Sequence, residues 1–294
     1  MSDSIDWSKA SKFKGRDKYF NLSTLWIFYY HYAIRLFYYL RLNPLAVLST
    51  AIILGLASSV FLWYGKLVTA AVLLHLRDVC DASDGSLARL RGMTTRIGRF
   101  LDSLGDMLVL TMVIAVITIK AFLANGESIY IGLGIITWFS LFIQCSYFNY
   151  YQLKYAESLE KPLQAKLEEN SNGETDSQSV KVLRLFYRLL YSWQDILIRQ
   201  IDRLSISIVD IYPGFDQNEW YRNKIFLTLN SLLCFGTHIF VFFICFVFGN
   251  PALALYIIAI LFNLYFFALM AGRIMAYKIK LAESSTRKLT GNRK

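Results

Sequence analysis

The chain has 294 residues, of which 55% are hydrophobic and 16% aromatic, and its mean hydropathy is +0.40. An ordinary soluble domain does not carry so many apolar side chains, so this composition excludes one and indicates a membrane protein. The formal net charge is +10, but the basic residues flank apolar segments and form no stripe of their own. We therefore expect membrane lipids, and no nucleic acid, as partners.

The chain begins with a polar, basic leader, residues 1–18, followed by an aromatic segment, residues 19–42. That segment is long enough to cross a bilayer, but it is crowded with tyrosine and interrupted by His31, Arg35 and Arg41. Such a composition is typical of an amphipathic helix that lies in the interface. A membrane span here would also carry the basic leader outside, against the positive-inside tendency. Residues 1–42 are therefore predicted to be a cytoplasmic leader and an interfacial helix.

Six apolar segments follow, and each holds about 20 or more residues, enough to cross the hydrocarbon core of a bilayer. The sequence thus predicts an all-α polytopic membrane protein with four transmembrane helices in residues 43–151 and two in residues 223–278. The six predicted spans are 43–64, 67–90, 97–123, 129–151, 225–249 and 251–277.

Charge sets the predicted orientation of these helices. The three outer turns hold only Lys66 and Glu127, whereas the leader, the turn after the second helix and the basic tail, residues 279–294, are rich in lysine and arginine. Because basic loops stay in the cytoplasm, we expect the leader, the tail and that turn on the cytoplasmic side.

Residues 152–222 separate the fourth and fifth predicted helices and have nearly balanced charge. Residues 170–179 are polar and predict a mobile loop. Residues 180–206 repeat apolar side chains every three to four positions, which predicts an amphipathic helix. This cytoplasmic or interfacial insert could lie on the membrane, cover a site or bind a partner, and an interfacial helix is the favoured interpretation. The apolar stripe consists of Leu183, Phe186, Leu190, Trp193, Leu197, Ile201 and Leu204.

Two pairs of acids stand between apolar segments. Asp81 and Asp84 are three residues apart, and Asp102 and Asp106 are four apart, so each pair occupies one face of a helix. Four carboxylates that converge beside a low-dielectric slab repel one another and are costly to bury. Binding a divalent cation, which prefers hard oxygen ligands, removes that cost. The sequence therefore predicts a metal site at the facing ends of the second and third helices.

Small residues and one arginine share these helices. Gly85 and Ala88 continue the helical stripe of Asp81 and would leave a shallow floor for a ligand, while Gly98 leaves a matching gap one turn before Asp102. Arg89 is a permanent cation suited to phosphate oxygens. Carboxylates for metal, an arginine for phosphate and glycines for space together indicate chemistry on a nucleoside diphosphate.

In these residues the chain resembles the CDP-alcohol phosphotransferase family, whose signature is D-x2-D-G-x2-A-R-x8-G-x3-D-x3-D. Eight fixed residues at fixed spacings make a chance match far less probable than for a single glycine motif. The sequence departs from the family pattern at the start of the first helix, where Asn43, Pro44 and Ser49 only approximate the residues that family members usually have. The eight matching positions are Asp81, Asp84, Gly85, Ala88, Arg89, Gly98, Asp102 and Asp106.

The resemblance implies six membrane helices, a homodimer and two Mg²⁺ or Mn²⁺ ions held by the four aspartates. It further implies that Asp106 is the base that activates an acceptor hydroxyl. The expected donor is CDP-diacylglycerol or a similar CDP-linked lipid, with its nucleotide against Gly85, Ala88, Arg89 and Gly98. In the alternative, a CDP-linked small alcohol donates to diacylglycerol. A more remote alternative is an ion-coupled polytopic transporter, in which Gly85, Ala88 and Arg89 would have no role.

Other polar residues in the apolar segments carry weaker expectations. Arg99 is a candidate for binding a phosphate on the acceptor, because it adjoins Gly98 on the helix with the expected base. Asp78 is expected to be a supporting acid or a partner of Arg77, and His75 and His238 hydrogen-bonded core residues. The four cysteines, Cys80, Cys145, Cys234 and Cys245, lie in apolar segments at irregular spacing and predict buried thiols without disulfides.

Overall fold

The computed structural model describes residues 6–13, 15–159, 178–212 and 214–291, and of residues 96, 178–191 and 284–291 it describes only the backbone. Every regular element in this part of the chain is helical. Short 3₁₀ turns cover Trp7–Ala10, Gly15–Asp17, Leu22–Leu25 and Ser231–Leu233, and one π-helical turn covers Ile257–Phe262. The helices are α1 (Tyr30–Tyr39), α2 (Pro44–Trp63), α3 (Leu67–Arg91), α4 (Arg96–Asn125), α5 (Ile129–Ser158), α6 (Gln178–Asp210), α7 (Gln217–Tyr221), α8 (Lys224–Asn230), α9 (Phe235–Val247), α10 (Pro251–Tyr256) and α11 (Asn263–Gly291).

Local sequence accounts for the ends of the first long helices. The side chain of Asn43 accepts a hydrogen bond from the amide of Leu45, and Pro44 occupies the first turn of α2, where its missing N–H does no harm. Gly92 and Gly126 end α3 and α4 with left-handed backbones, φ 63° and 71°, which glycine adopts without steric cost. These caps leave only short turns between α3 and α4 and between α4 and α5.

Four helical segments among the described residues are long and apolar enough to cross a membrane, which supports an integral membrane protein. They lie at Pro44–Trp63, Ile97–Asn125, Ile129–Ser158 and Pro251–Glu283. α3 has 25 residues, but its second half carries the acids and the arginine of the motif. Because of these charged residues, it is not apolar enough to count as a fifth candidate. The predicted total of six spans therefore stays a prediction.

The predicted span 225–249 is not one straight helix. α8 and the 3₁₀ turn Ser231–Leu233 end at Cys234, whose backbone is extended (φ −80°, ψ 165°), and α9 starts immediately afterwards. The two parts are bent by 41°, and they count as a fifth candidate span only if they are taken together. The predicted span over residues 225–249 therefore stays a prediction, and its break was not foreseen, because apolar composition does not reveal a break that leaves both halves apolar.

The amino-terminal aromatic segment forms only a 3₁₀ turn and α1, which has 10 residues. At 1.5 Å per residue this helix is too short to cross a bilayer. Its placement in the interface stays a prediction. The expected loop at residues 170–177 lies outside the described residues, as do the side chains of the first part of α6.

The core forms where α2, α3 and α4 cross and continues onto α5 and α9. Two glycines allow α2 and α4 to approach closely. A Cβ added at Gly105 would lie 2.6 Å from Ile52 Cδ1, and one at Gly55 would lie 2.5 Å from Val109 Cγ1. Small residues at crossing helices are typical of membrane bundles. This contact holds α4, and with it two of the motif aspartates, against the rest of the bundle.

A buried chain of hydrogen bonds joins α5, α9 and the carboxyl-terminal helix. The Nε2 atom of His238 lies 2.9 Å from Gln144 Oε1, and Gln144 Nε2 donates to Asn263 Oδ1 at 3.0 Å. Asn263 Nδ2 in turn donates to Ser140 Oγ at 2.7 Å. His238 is thus the hydrogen-bonded core residue that was expected, and the four cysteines are free and buried.

The part of α6 whose side chains are described, residues 192–210, packs against α5. Ser146 Oγ donates to Gln194 Oε1 at 2.5 Å. Asp202, which is buried, accepts hydrogen bonds from three tyrosine hydroxyls and lies 3.5 Å from the indole nitrogen of Trp220. The insert is therefore tied to the bundle by polar contacts as well as by its apolar face. The three hydroxyls belong to Tyr150 (2.8 Å), Tyr151 (2.6 Å) and Tyr221 (2.6 Å).

Candidate active site

The second half of α3 and the first half of α4 bring the predicted acids together. One carboxylate oxygen from each of Asp81, Asp102 and Asp106 lies within 4.8 Å of the others. Asp81 and Asp102 are partly buried and Asp106 is buried. Residues distant in sequence thus form one cluster, because the turn after Gly92 reverses the chain. Three hard oxygen donors at this spacing suit a small divalent cation.

Asp84 is close to this cluster but is not among its three members. Its side chain is buried, it interacts electrostatically with Asp81 and Asp102, and its Oδ2 atom has no hydrogen-bond partner among the described residues. A buried carboxylate oxygen without a partner is costly unless a cation reaches it. Asp84 therefore fits the role of a further metal ligand, although it does not lie within the tight group.

Arg77 is a site residue whose role the sequence did not reveal. Its side chain is 1% exposed, and its guanidinium contacts Asp106 Oδ1 and lies 3.4 Å from Asp81 Oδ1. The Nε and Nη1 atoms have no hydrogen-bond partner among the described residues. One buried cation thus offsets the charge of two acids from different helices. Asp78, expected as a supporting acid or a partner of Arg77, is buried and interacts electrostatically with Arg77. The guanidinium also pairs with two motif aspartates, for which the spacing from Arg77 to Asp81, i to i+4, was the available signal.

The residues present fit a divalent metal. Four carboxylates stand within electrostatic reach of one another, three of them with oxygens less than 5 Å apart, and one buried oxygen of Asp84 lacks a partner. Arg77, Arg89 and Lys12 interact electrostatically with members of this group, but these three cations are fewer than its four carboxylates and the adjoining Asp78. A divalent cation would supply the missing positive charge and would satisfy the free oxygens.

The surface of α3 at Gly85 and Ala88, where the donor is expected to bind (the donor floor), is open at Gly85. A Cβ at this position would meet only the Nη1 atom of Arg89, at 3.5 Å, an ordinary contact. Gly98 is more crowded, because a Cβ there would lie 3.1 Å from Thr95 Oγ1 and 3.4 Å from Leu45 Cδ2. Gly85 thus offers space for a ligand, whereas Gly98 also serves the close approach of α4 to the start of α2. Ala88 is partly buried on the same face of α3 as Gly85.

Arg89 is held by the amino-terminal leader, a contact that the sequence did not indicate. Its Nε and Nη2 atoms donate to the carbonyl oxygen of Ala10 at 3.0 and 2.7 Å, and Nη2 also donates to Ser86 Oγ at 3.0 Å. Tyr30 of α1 lies near the same guanidinium. Burial raises the pKa of Tyr30 in spite of that positive charge, so the hydroxyl remains a neutral donor at physiological pH.

Three further arginines lie in different surroundings. Arg91 donates to the carbonyl oxygens of Leu42 and Tyr38, at 2.5 and 3.0 Å, and so ties α3 to the end of α1. Arg273 is buried on α11 with its guanidinium 3.7 Å from the ring centre of Trp220. Arg99 is partly buried next to Gly98, and its role toward an acceptor stays a prediction.

Comparison with known proteins adds an independent finding. Residues 42–170 match the family model of CDP-alcohol phosphatidyltransferase, and no curated protein matches the chain. The matched region contains all eight motif positions and the whole acidic cluster. Members of this family transfer a phospho-alcohol group from a CDP-alcohol to an acceptor. Residues 42–170, somewhat less than half of the chain, are thus similar to the CDP-alcohol phosphatidyltransferase family.

Proposed function

We propose that this protein transfers a phosphatidyl or related group from a CDP-linked lipid, CDP-diacylglycerol, to an alcohol, releases CMP and thereby serves phospholipid biosynthesis. The observation that carries the proposal is the convergence of Asp81, Asp102 and Asp106 inside the region that matches the family. The apolar helices around the site would accommodate the lipid chains of the donor. The distribution of basic residues supports a site that faces the cytoplasm.

In this proposal Asp81, Asp84, Asp102 and Asp106 would hold two Mg²⁺ or Mn²⁺ ions. When bound, these ions offset the negative charge of the donor's diphosphate. The nucleotide lies over Gly85 and Ala88, and the space that the structure leaves at Gly85 supports this placement. Arg89 supplies a permanent positive charge at the edge of that space.

Asp106 acts as the general base. Its carboxylate takes the proton from the acceptor hydroxyl, whose oxygen then forms a bond to the phosphorus nearer the lipid. The bond from that phosphorus to the bridging oxygen breaks, and CMP leaves with the electron pair. Arg77 contacts Oδ1 of Asp106, so we assign the proton to Oδ2. The guanidinium holds the carboxylate in a fixed orientation, as a base requires.

The test is release of CMP by purified protein in lipid nanodiscs. CDP-diacylglycerol with a panel of alcohols, including inositol phosphate and glycerol phosphate, should yield CMP and a phospholipid. EDTA should abolish this turnover, and added Mg²⁺ or Mn²⁺ should restore it. Full activity in excess chelator contradicts the metal assignment. CMP formed only from a CDP-linked small alcohol with diacylglycerol would reverse the roles of donor and acceptor.

The homodimer belongs to the same proposal and rests on the family resemblance. Mass photometry or light scattering of the protein in nanodiscs measures the number of copies. A mass that corresponds to one chain of 33.9 kDa after subtraction of lipid and scaffold would contradict it.

A further inference from the structure

The leader is fixed to the bundle at two points. At one end Trp7 meets Tyr38 of α1 with ring centres 5.6 Å apart, and the guanidinium of Arg35 lies 5.5 Å from the Trp7 ring centre. At the other end Phe13 is buried, with ring centres 5.6 Å from Tyr19 and 5.5 Å from Tyr155. Edge-to-face aromatic contacts of this kind stabilise the packed arrangement beyond the burial of apolar area. The residues between these anchors therefore have a defined position.

Between the anchors, the leader orients the motif arginine. The carbonyl oxygen of Ala10 accepts hydrogen bonds from two of the three nitrogens of Arg89. The third nitrogen, Nη1, lies 3.5 Å from the position that a Cβ on Gly85 would occupy. The backbone of the leader thus directs the remaining face of the guanidinium over the open floor of the site.

Two residues further along, Lys12 brings a second cation to the same place. Its ammonium donates to Gln152 Oε1 at 3.1 Å, and Gln152 is itself held because its Nε2 atom donates to Tyr19 Oη at 2.5 Å. Lys12 interacts electrostatically with both Arg89 and Asp102. The side chain is accessible, and a lysine ammonium has three N–H donors, so a ligand can bond to it without displacing Gln152.

The electrostatics of this arrangement favour an anion between the two cations. Lys12 and Arg89 repel each other, and the structure nevertheless holds both at one end of the donor floor. Asp102 attracts Lys12, but Asp102 also belongs to the acidic cluster. A diphosphate that spans from the acidic cluster to Arg89 would bring its negative oxygens near both cations and would remove their repulsion.

We propose that the leader completes the donor site and that Lys12 binds the diphosphate of a nucleoside diphosphate together with Arg89. This inference rests on the proposed function, since it places a CDP-linked donor over Gly85. In the competing interpretation, Lys12 only pins the leader to α5 through Gln152. The two interpretations differ in whether the charge of Lys12 affects phosphate-bearing ligands alone.

The experiment compares Lys12→Gln with Lys9→Gln, a matched control in the same leader whose side chain is exposed. Binding of free CDP and of cytidine to the full chain in nanodiscs is measured in the presence of Mn²⁺ by competition calorimetry. Lys12→Gln should raise the Kd of CDP about tenfold or more, since hydrogen bonds to charged groups contribute about 1.5–3 kcal/mol. The affinity for cytidine should not change. Lys9→Gln should bind both ligands as the unaltered chain does.

Two further measurements separate charge from structure. Raising the salt concentration should weaken CDP binding to the unaltered chain more steeply than binding to Lys12→Gln. Salt screens the attraction between Lys12 and the diphosphate, and the variant lacks that attraction. Lys12→Arg should recover most of the affinity. In turnover, Lys12→Gln should raise KM for the donor with a smaller effect on kcat, as expected for a contact made in both the ground and the transition state.

Several results would overturn the inference. Lys12→Gln with unaltered CDP affinity would do so, as would equal losses of CDP and cytidine binding, which indicate a loosened leader. A chain that binds no CDP would also overturn it. A different result would contradict the proposed function alone: the unaltered chain would bind CDP but release no CMP from any CDP-linked donor. In that case the dependence of CDP binding on Lys12 still decides whether the leader belongs to a nucleotide site.

Discussion

Asp81 and Asp106 both pair with Arg77, but the chain holds them differently. Asp106 lies buried on α4 in direct contact with the guanidinium, whereas Asp81 is partly exposed on α3 at a longer distance, 3.4 Å. The more tightly held carboxylate is the one with the fixed orientation that a base needs. The looser one can adjust its oxygen toward a cation. Substitution should separate these two roles.

Asp106→Asn keeps the shape of the side chain but removes its ability to take a proton. Because a positioned general base contributes roughly 10²- to 10⁴-fold, we expect turnover to fall by that factor while donor affinity falls much less. Asp81→Asn should instead weaken metal affinity, and its activity should recover when Mg²⁺ is raised. Both variants are titrated with metal and with donor under the same conditions. Rescue of Asp106→Asn by metal alone would make Asp106 chiefly a ligand.

Gly85→Leu tests whether the floor of α3 is the nucleotide surface. A Cβ at this position meets no atom closer than 3.5 Å, so the fold should persist while the added bulk blocks the donor. Gly132→Leu is the matched control, since this glycine also sits in a helix with nothing near its Cβ position but lies on α5. Calorimetry with CDP should show lost binding for the first variant only. Undiminished binding to Gly85→Leu would place the nucleotide elsewhere.

The acids could be predicted from sequence and their surroundings could not. Spacings of three and four residues put Asp81 with Asp84, and Asp102 with Asp106, on single helix faces by local geometry alone. The contact of Lys12 with Gln152 joins residues 140 positions apart, and the bond from Arg89 to Ala10 joins residues 79 positions apart. Long-range contacts of this kind depend on how the whole chain packs, which no local pattern specifies.

At the scale of elements, one buried carboxylate of α6 gathers most of its described polar contacts to neighbouring helices. Asp202 collects the hydroxyls of Tyr150, Tyr151 and Tyr221, which lie on α5 and α7. The amphipathic pattern predicted a helix in the insert, but not this buried acid. A charged acceptor strengthens each of these hydrogen bonds relative to a neutral one. The position of α6 should therefore depend on that charge.

Asp202→Asn removes the charge and leaves the shape nearly unchanged. We expect the docking of α6 to weaken by about 1–3 kcal/mol, the range for disturbed buried hydrogen bonds, and amides in residues 193–206 to exchange about tenfold faster or more in bilayers. Hydrogen exchange followed by mass spectrometry measures this change. Asp210→Asn, at the exposed end of the same helix, should leave exchange unaltered. Equal exchange in both variants would show that apolar contacts alone hold α6.

The bounds of the helices show where sequence patterns succeed. α2, α3 and α4 begin and end within a few residues of the predicted spans, because Asn43, Gly92 and Gly126 mark helix ends through local backbone chemistry. The break at Cys234 has no such marker. It occurs between two apolar helices and is compatible with either a straight or a bent path, so only tertiary packing decides it.

At the scale of the whole molecule, the distribution of charge predicts one orientation in the membrane. Cysteines introduced at exposed positions can test it, because the native thiols should give little background. The four native thiols are buried, so a soluble reagent should label them poorly. Glu127 lies in the turn between α4 and α5 and is exposed, and Lys9 lies exposed in the leader. These two positions stand on opposite sides of the membrane if the basic segments are cytoplasmic.

In intact cells, Glu127→Cys should react with a membrane-impermeant maleimide, and Lys9→Cys should react only after the membrane is permeabilised. The unaltered chain measures the background from the buried thiols. Labelling is read from the mass shift on a gel. The reverse pattern would place the aspartate cluster on the outer side of the membrane, away from cytoplasmic CDP-linked donors.

The chain of hydrogen bonds from His238 through Gln144 to Asn263 and Ser140 bears on how the protein is made. When α5 enters the bilayer during translation, α9 and α11 have not yet been synthesised. The side-chain amide of Gln144 and the hydroxyl of Ser140 then lack the hydrogen-bond partners that the finished bundle provides, which is unfavourable in hydrocarbon. His238 on α9 and Asn263 on α11 supply those partners once they are made. All four motif aspartates are thus translated before α9 and α11, yet the scaffold that supports them is complete only when both helices arrive.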